Sequence, residues 1–140
     1  MRRNRGRGQS LVEFAIVVPV FMLFLGGVVQ FGMIFWGQNT INQIVRDGGR
    51  YAATVTDCSG GANADVIAKT TALANGTILA GTLAVAAPTW SPPGPCPDSN
   101  NRTVWVTVSA SGTVPIFFPL LPGNGTVSSS AQYRVEPVVP

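Results

Sequence analysis

The residues of this chain with the most chemical potential are Gly8 and Glu13, which precede a long apolar run. Glu13 lies next to Phe14, the first residue of that run, where a carboxylate without a partner is costly in a membrane. Cleavage after Gly8 would create a partner, because the new α-amino group on Gln9 would lie one helical turn from Glu13. Glycine suits the position before such a cut, since it brings no Cβ to the peptidase. The spacing therefore predicts a processing site that generates an ion pair.

The apolar run at residues 14–36 is long enough to cross a membrane. Of its 23 residues, fourteen are Leu, Ile, Val or Phe and none is charged. On the insertion scale each of the fourteen contributes about −0.3 to −0.6 kcal/mol, which sums to about −6 kcal/mol. About 20 apolar residues cross a hydrocarbon core of about 30 Å. We therefore predict a transmembrane segment at residues 14–36.

Basic charge is concentrated before this segment. The net charge is +3, and four of the nine basic residues lie in the first seven positions. Positive charge there stays in the cytoplasm, so the C-terminal side is expected to be exported. A nucleic-acid-binding domain would instead spread its basic residues over a folded face. The residues expected to set topology are Arg2, Arg3, Arg5 and Arg7.

The segment differs from a cleaved secretory signal, whose apolar stretch has about 7–15 residues and ends at a small-x-small site. No good site of that kind follows Trp36 at a suitable distance. Apolar residues continue beyond the segment at spacings of three and four, which predicts one helix over about residues 11–54, with a kink at Pro19 and a weak end at its last two glycines. The apolar stripe beyond the membrane consists of Ile41, Ile44, Val45, Gly48 and Ala52.

The remaining residues predict a small exported head. We expect a short helix at residues 62–79, a brief strand at 83–87 and a proline-rich loop at 88–101. Alternating apolar and polar residues predict strands at 103–111 and 126–136, paired antiparallel and covering the stripe at 41–52. The expected fold class is α+β and membrane-anchored, with a long N-terminal helix whose second half packs against a small antiparallel sheet.

Three further features of the sequence suggest contacts. Cys58 and Cys96 lie on the exported side, where a disulfide is favoured, and closing a loop of about 39 residues would stabilise the head by about 4 kcal/mol. Two reduced, buried cysteines are the alternative. Gln30 is expected to hydrogen-bond to another membrane helix. A proline-framed apolar segment is expected to pack under the head, with partner binding as the alternative; it comprises Ile116, Phe117, Phe118, Leu120 and Leu121.

Residue types needed for catalysis are missing. The chain has no histidine, which excludes Ser-His-Asp and Cys-His sites and histidine-based metal sites. Its carboxylates are not spaced like a calcium loop, and its glycines do not form a phosphate-binding loop. We therefore expect no enzyme activity, no cofactor, no metal, no small-molecule substrate and no nucleic-acid partner.

The stretches RGQSLVEFAIVVPVF and RDGGRYAA resemble the TadE-like family of tight-adherence (Tad) pilus assembly proteins, within the type IV pilin superfamily. The resemblance implies a pilin-like fold and a minor pilin or pseudopilin that an aspartic prepilin peptidase cuts between Gly8 and Gln9. Glu13 and Phe14 would then act in assembly, through helix bundling with other pilin subunits. The family's major pilin is far shorter and usually has tyrosine where this chain has Phe14, which argues against the principal filament subunit.

The expected organisation is a cytoplasmic leader at 1–8, the long helix at 9–54 and an extracytoplasmic head at 55–140. The protein would lie in the cytoplasmic membrane, with its head outside, and enter an extracellular pilus after assembly. Two alternatives stay open from the sequence: a permanently anchored extracytoplasmic binding or adhesion module, and a secreted effector or small enzyme released by signal peptidase.

Overall fold

The computed structural model describes residues 6–55, 60–91, 103–117 and 125–135. The described elements are two helices and four strands, and the predicted long apolar helix and small antiparallel sheet are confirmed. In chain order they are α1 (Gly6–Thr54), α2 (Gly60–Ala72), β1 (Ala84–Val85), β2 (Thr89–Ser91), β3 (Trp105–Thr113) and β4 (Thr126–Arg134).

Helix α1 has 49 residues and is therefore about 74 Å long at the α-helical rise. It continues through Pro19, where the sequence predicts a kink, and it ends at Thr54 as predicted. The weak end expected from Gly48 and Gly49 is not observed, because both glycines lie under the head, against Thr70 and Tyr133. Tertiary packing here outweighs the low helix propensity of glycine.

Strand β3 lies at the centre of the sheet. It pairs antiparallel with β4 along its whole length, from Trp105 opposite Arg134 to Thr113 opposite Thr126. The short strands β1 and β2 both pair with the other edge of β3. The antiparallel pairing predicted from the alternating pattern is confirmed, with strand bounds that differ by two residues at most.

The prediction of a loop at 88–101 is wrong for its first residues, because β2 begins at Thr89. Ala84 lies opposite Ser111, whereas Thr89 lies opposite Thr107, so the edge carries one more residue than β3 between these pairs. The extra residue falls next to Pro88. Proline cannot donate to a ladder, and an edge with a bulge accommodates it.

Helix α2 ends earlier than predicted, at Ala72 rather than near residue 79. The following turns are held by side-chain bonds, since the Thr77 hydroxyl donates to the Ala74 carbonyl at 2.7 Å and accepts from the Leu79 amide at 3.2 Å. Such local bonds compete with a continuing helix. They also place Leu79 in the core, where it is fully buried.

The core lies between α1 and one face of the sheet. The predicted inward residues around β3 are confirmed as buried, and Val127 near the start of β4 and Val135 directly after its end are buried with them. One cluster centres on Ile41 and Val45 of α1, and a second surrounds Ala52 farther along the helix. The buried side chains are Val104, directly before β3, and Val106, Val108 and Ala110 within it.

Candidate functional site

The first half of α1 exposes a continuous apolar surface. Most of its large apolar side chains, from Leu11 to Trp36, are 41% to 71% exposed, whereas Val18, Met33 and Ile34 are half-buried. An 18-residue window of this helix has a mean hydropathy of 2.4 and is only 6% buried. Within the described residues, α1 is long and apolar enough to cross a membrane. A helix that is apolar all round requires a membrane or a surrounding bundle.

The predicted processing and assembly residues lie in the first turns of α1. Gly8, Gln9, Glu13 and Phe14 are all exposed helical residues. Gln9 and Glu13 are four residues apart, so the helix places them on one face. A Cβ added at Gly8 would meet no atom within 4 Å. The fold itself therefore has no steric need for glycine at this position.

Glu13 is isolated from the charged residues that follow it along its helix. Residues 14–45 contain no Asp, Glu, Lys or Arg, so the next charged residue on α1 is Arg46. The two residues are 33 positions apart, which corresponds to about 50 Å of helix. A partner for Glu13 must therefore come from the region around the helix start or from another molecule.

The side chain of Gln30 is hydrogen-bonded within its own chain. The structure therefore does not show the expected hydrogen bond to another membrane helix. Its side chain is 2% exposed. Its Nε2 donates to the Pro115 carbonyl at 3.2 Å, and its Oε1 accepts from the Phe117 amide at 2.9 Å. The segment after β3 thus reaches back along α1 to a residue inside the predicted transmembrane segment. One amide in an otherwise apolar run is the only sign of this contact in the sequence.

The expectation that the proline-framed apolar segment is buried is wrong for its first two residues. Ile116 is 39% exposed and Phe117 is 64% exposed. The other three residues of that prediction, Phe118, Leu120 and Leu121, lie outside the described residues. The exposed pair continues the apolar surface of the first half of α1 onto the head.

The second half of α1 is covered by the head, and the cover extends farther back than the predicted stripe at 41–52. Beyond Gln30, a Cβ added at Gly37 would collide with the Val114 side chain. Gln38 then donates from Nε2 to the Ser128 carbonyl at 2.8 Å. These contacts begin one to three helical turns before Ile41, which the sequence predicted as the first covered residue.

Other predicted residues cannot be placed. Arg2, Arg3, Arg5, Cys58 and Cys96 lie outside the described residues, as does the side chain of Arg7. The disulfide and the topology residues therefore remain predictions. Within the described parts of the chain, no group of three or more Cys, Asp or Glu residues is arranged to hold a metal ion.

A long N-terminal helix, exposed and apolar in its first half and packed on a small antiparallel sheet in its second, defines an α+β, membrane-anchored, pilin-like fold. The family model of TadE-like proteins matches residues 8–50, which confirms the resemblance to that family and associates the chain with the Tad pilus. The match begins at Gly8 and lies within α1. No curated protein and no solved structure matches the chain.

Proposed function

We propose that this chain is a minor pilin or pseudopilin of a Tad-type (type IVc) pilus, acting as peptidase substrate and building block rather than as an enzyme. The observation that carries the proposal is where the TadE-like match begins, at Gly8. This is the glycine five residues before the one acidic residue at the start of the apolar helix. The exposed apolar half of α1 supports the same role, because a pilin helix must be stable first in lipid and then among other helices.

Prepilin peptidase cleaves the bond between Gly8 and Gln9 in this proposal. Gly8 is exposed, and the space around it is open. The glycine is therefore explained by the needs of a peptidase, which approaches the backbone most closely where there is no Cβ. The arginine-rich leader stays cytoplasmic and directs the head outward. In the exported head, Cys58 and Cys96 form a disulfide.

Glu13 pairs with the new ammonium group on Gln9, either in its own chain or in a neighbouring subunit. An unpaired carboxylate costs about 2.5–3.5 kcal/mol at the centre of a membrane helix on the insertion scale, and less near the interface. Pairing between subunits removes that cost only when neighbouring helices are shifted along their axes by one particular distance. The ion pair therefore sets the axial stagger of the helices in the bundle. Lateral contact has room at Gly27, which with Leu23 and Phe31 lines an open apolar groove of about 450 Å³.

The mass of the mature N-terminus tests the proposal. Protein purified from cells with an active prepilin peptidase should begin at Gln9. Retention of Met1 or Arg2 would overturn the pilin assignment in favour of a permanently anchored module, and a start beyond Trp36 would indicate secretion. Gly8→Leu should retain the leader while the far-ultraviolet circular dichroism is unchanged, because the position faces open space.

A second experiment tests the role of Glu13. The variant Glu13→Ala should be cleaved like the wild type but be absent from sheared pilus fractions, because the stagger-setting charge is lost. Val12→Ala is the matched control, since Val12 is an exposed neighbour without charge, and it should assemble. Normal incorporation of the Glu13→Ala protein would contradict the proposed ion pair.

A further inference from the structure

We name the segment at residues 115–117 the Gln30-bound loop. Its contacts with α1 determine how deep it would lie in a membrane that α1 spans. Two hydrogen bonds join it to Gln30, one from the Gln30 amide to the Pro115 carbonyl and one from the Phe117 amide to Gln30. Gln30 precedes Trp36 by six residues, or about 9 Å of helix. The loop therefore lies nearer the membrane core than Trp36 does, when α1 spans a bilayer.

The Gln30-bound loop is suited to an apolar environment. Its side chains at Ile116 and Phe117 are exposed although both are apolar. The bonds to Gln30 satisfy two backbone polar groups of the loop. This matters because loops are usually excluded from lipid by their unsatisfied backbone groups. On α1 the neighbouring exposed side chains are also apolar or aromatic, namely Phe31, Phe35 and Trp36. Aromatic residues of this kind collect where membranes meet water.

Charge is distributed unevenly along the head. The described part of the chain has no Asp, Glu, Lys or Arg within residues 14–45, 103–117 or 125–133. Charges on the second half of α1 begin at Arg46, about 24 Å of helix beyond Gln30. Arg134 lies at the end of β4 that pairs with Trp105, whereas the Gln30-bound loop follows the opposite end of β3. The described stretches of α1, β3 and β4 that adjoin the loop therefore carry no charge.

We propose that the Gln30-bound loop inserts into the outer leaflet of the bilayer that α1 spans, so that the head rests directly on the lipid surface. The lipid-embedded part of α1 then ends near Gln30 rather than at Trp36. Residues 8–29 would provide about 33 Å of helix, which matches a hydrocarbon core of about 30 Å. The inference concerns the head and the membrane before assembly, and it does not depend on the pilin assignment.

Site-specific photo-crosslinking tests this placement. The full chain, with its leader, is reconstituted in vesicles of phosphatidylethanolamine and phosphatidylglycerol, with p-benzoylphenylalanine in place of Phe117. Phe24, within the exposed apolar half of α1, is the lipid-facing reference. Trp105, which is 42% exposed at the other end of the sheet, is the matched head control. Lipid adducts are measured by mass spectrometry, and circular dichroism confirms that each variant is folded.

Position 117 should give lipid adducts at a yield close to that of position 24, and at least about tenfold above position 105, since insertion reaches only about 5–10 Å into the boundary region. Equal yields at 117 and 105 would overturn the proposal. Adducts from 117 to a second copy of the chain in place of lipid would also overturn it, and would assign the loop to contact between subunits. Because the leader is retained in this experiment, a failure of processing does not affect the result.

Discussion

The two halves of α1 belong to one unbroken helix but meet opposite surroundings. Residues from Leu11 to Phe24 have large apolar side chains that are mostly more than half exposed, whereas Ile41 and Val45 are fully buried. Polar residues account for the difference. The first half is apolar on every side, while the second carries Gln43, Arg46 and other polar residues on the side away from the sheet. An apolar stripe on one side of the helix suffices for packing against the head, whereas a uniformly apolar helix requires lipid or other helices.

The glycines of α1 show the same contrast. A Cβ added at Gly27 or Gly32 would meet nothing within 4 Å, but a Cβ at Gly37, Gly48 or Gly49 would collide with a side chain of the head. Glycines in the second half thus let the sheet and α2 approach the helix closely. In the first half, Gly27 and Gly32 leave shallow surface that another molecule can fill.

The largest effect on stability is expected from an Ile→Ala substitution in the second half of α1, with the same substitution in the first half as its control. Ile41→Ala removes a fully buried side chain and should lower the free energy of unfolding of the head by about 2–5 kcal/mol. Ile16→Ala, at a side chain 65% exposed, should leave it unchanged. Denaturant unfolding of the full chain in detergent micelles, followed by near-ultraviolet circular dichroism, measures both. Equal losses would contradict the division of the helix into covered and free halves.

A smaller effect is expected from filling the glycine positions. Gly48→Leu forces a side chain against Thr70, whose hydroxyl is bonded to the Val66 carbonyl at 2.7 Å, and should destabilise the head by about 1–3 kcal/mol. Gly32→Leu faces open space and should be neutral or slightly favourable, because leucine is the better helix former. Thermal unfolding in micelles distinguishes them. A stable Gly48→Leu head would show that α2 does not pack on α1 as described.

The smallest effect concerns the polar link between the second half and the sheet. Gln38→Leu removes the bond from Gln38 to the Ser128 carbonyl and should cost about 0.5–1.5 kcal/mol. Gln43→Leu changes the same chemical group at an exposed position of α1 and should cost less. Urea midpoints of the two variants provide the measurement. A larger loss for Gln43→Leu would require a different surface of α1 to face the sheet.

The sequence predicted well those elements that depend on local periodicity. The end of α1 at Thr54 and the inward face of β3 follow from spacings of three to four and of two residues, which backbone geometry fixes. The sequence did not predict strand β2, because prolines lie on both sides of it. Such a strand can still form at the edge of a sheet, where it pairs with only one neighbour. The early end of α2 depends on the Thr77 side-chain bonds, which are local but not periodic, and on the burial of Leu79, which is a tertiary contact.

The candidate site was predictable to the same extent. Gly8 and Glu13 are recognisable because their spacing is local and their position before an apolar run is unusual. The partner of Gln30 was not, since Pro115 and Phe117 lie 85 and 87 residues away. A buried amide shows that a partner is needed, but only the fold shows where that partner lies.

The attachment of the head at several levels of α1, from Gln30 to Gly49, has a consequence for larger assemblies. A head held at a single hinge would swivel independently of its helix, whereas this one is held over about 30 Å of helix and must copy every rotation of it. The face of the sheet turned away from α1 carries Thr107, Ser109 and Ser130, and is opposite the core. In any bundle with the helices at the centre, this hydroxyl-rich face is the one presented to the outside.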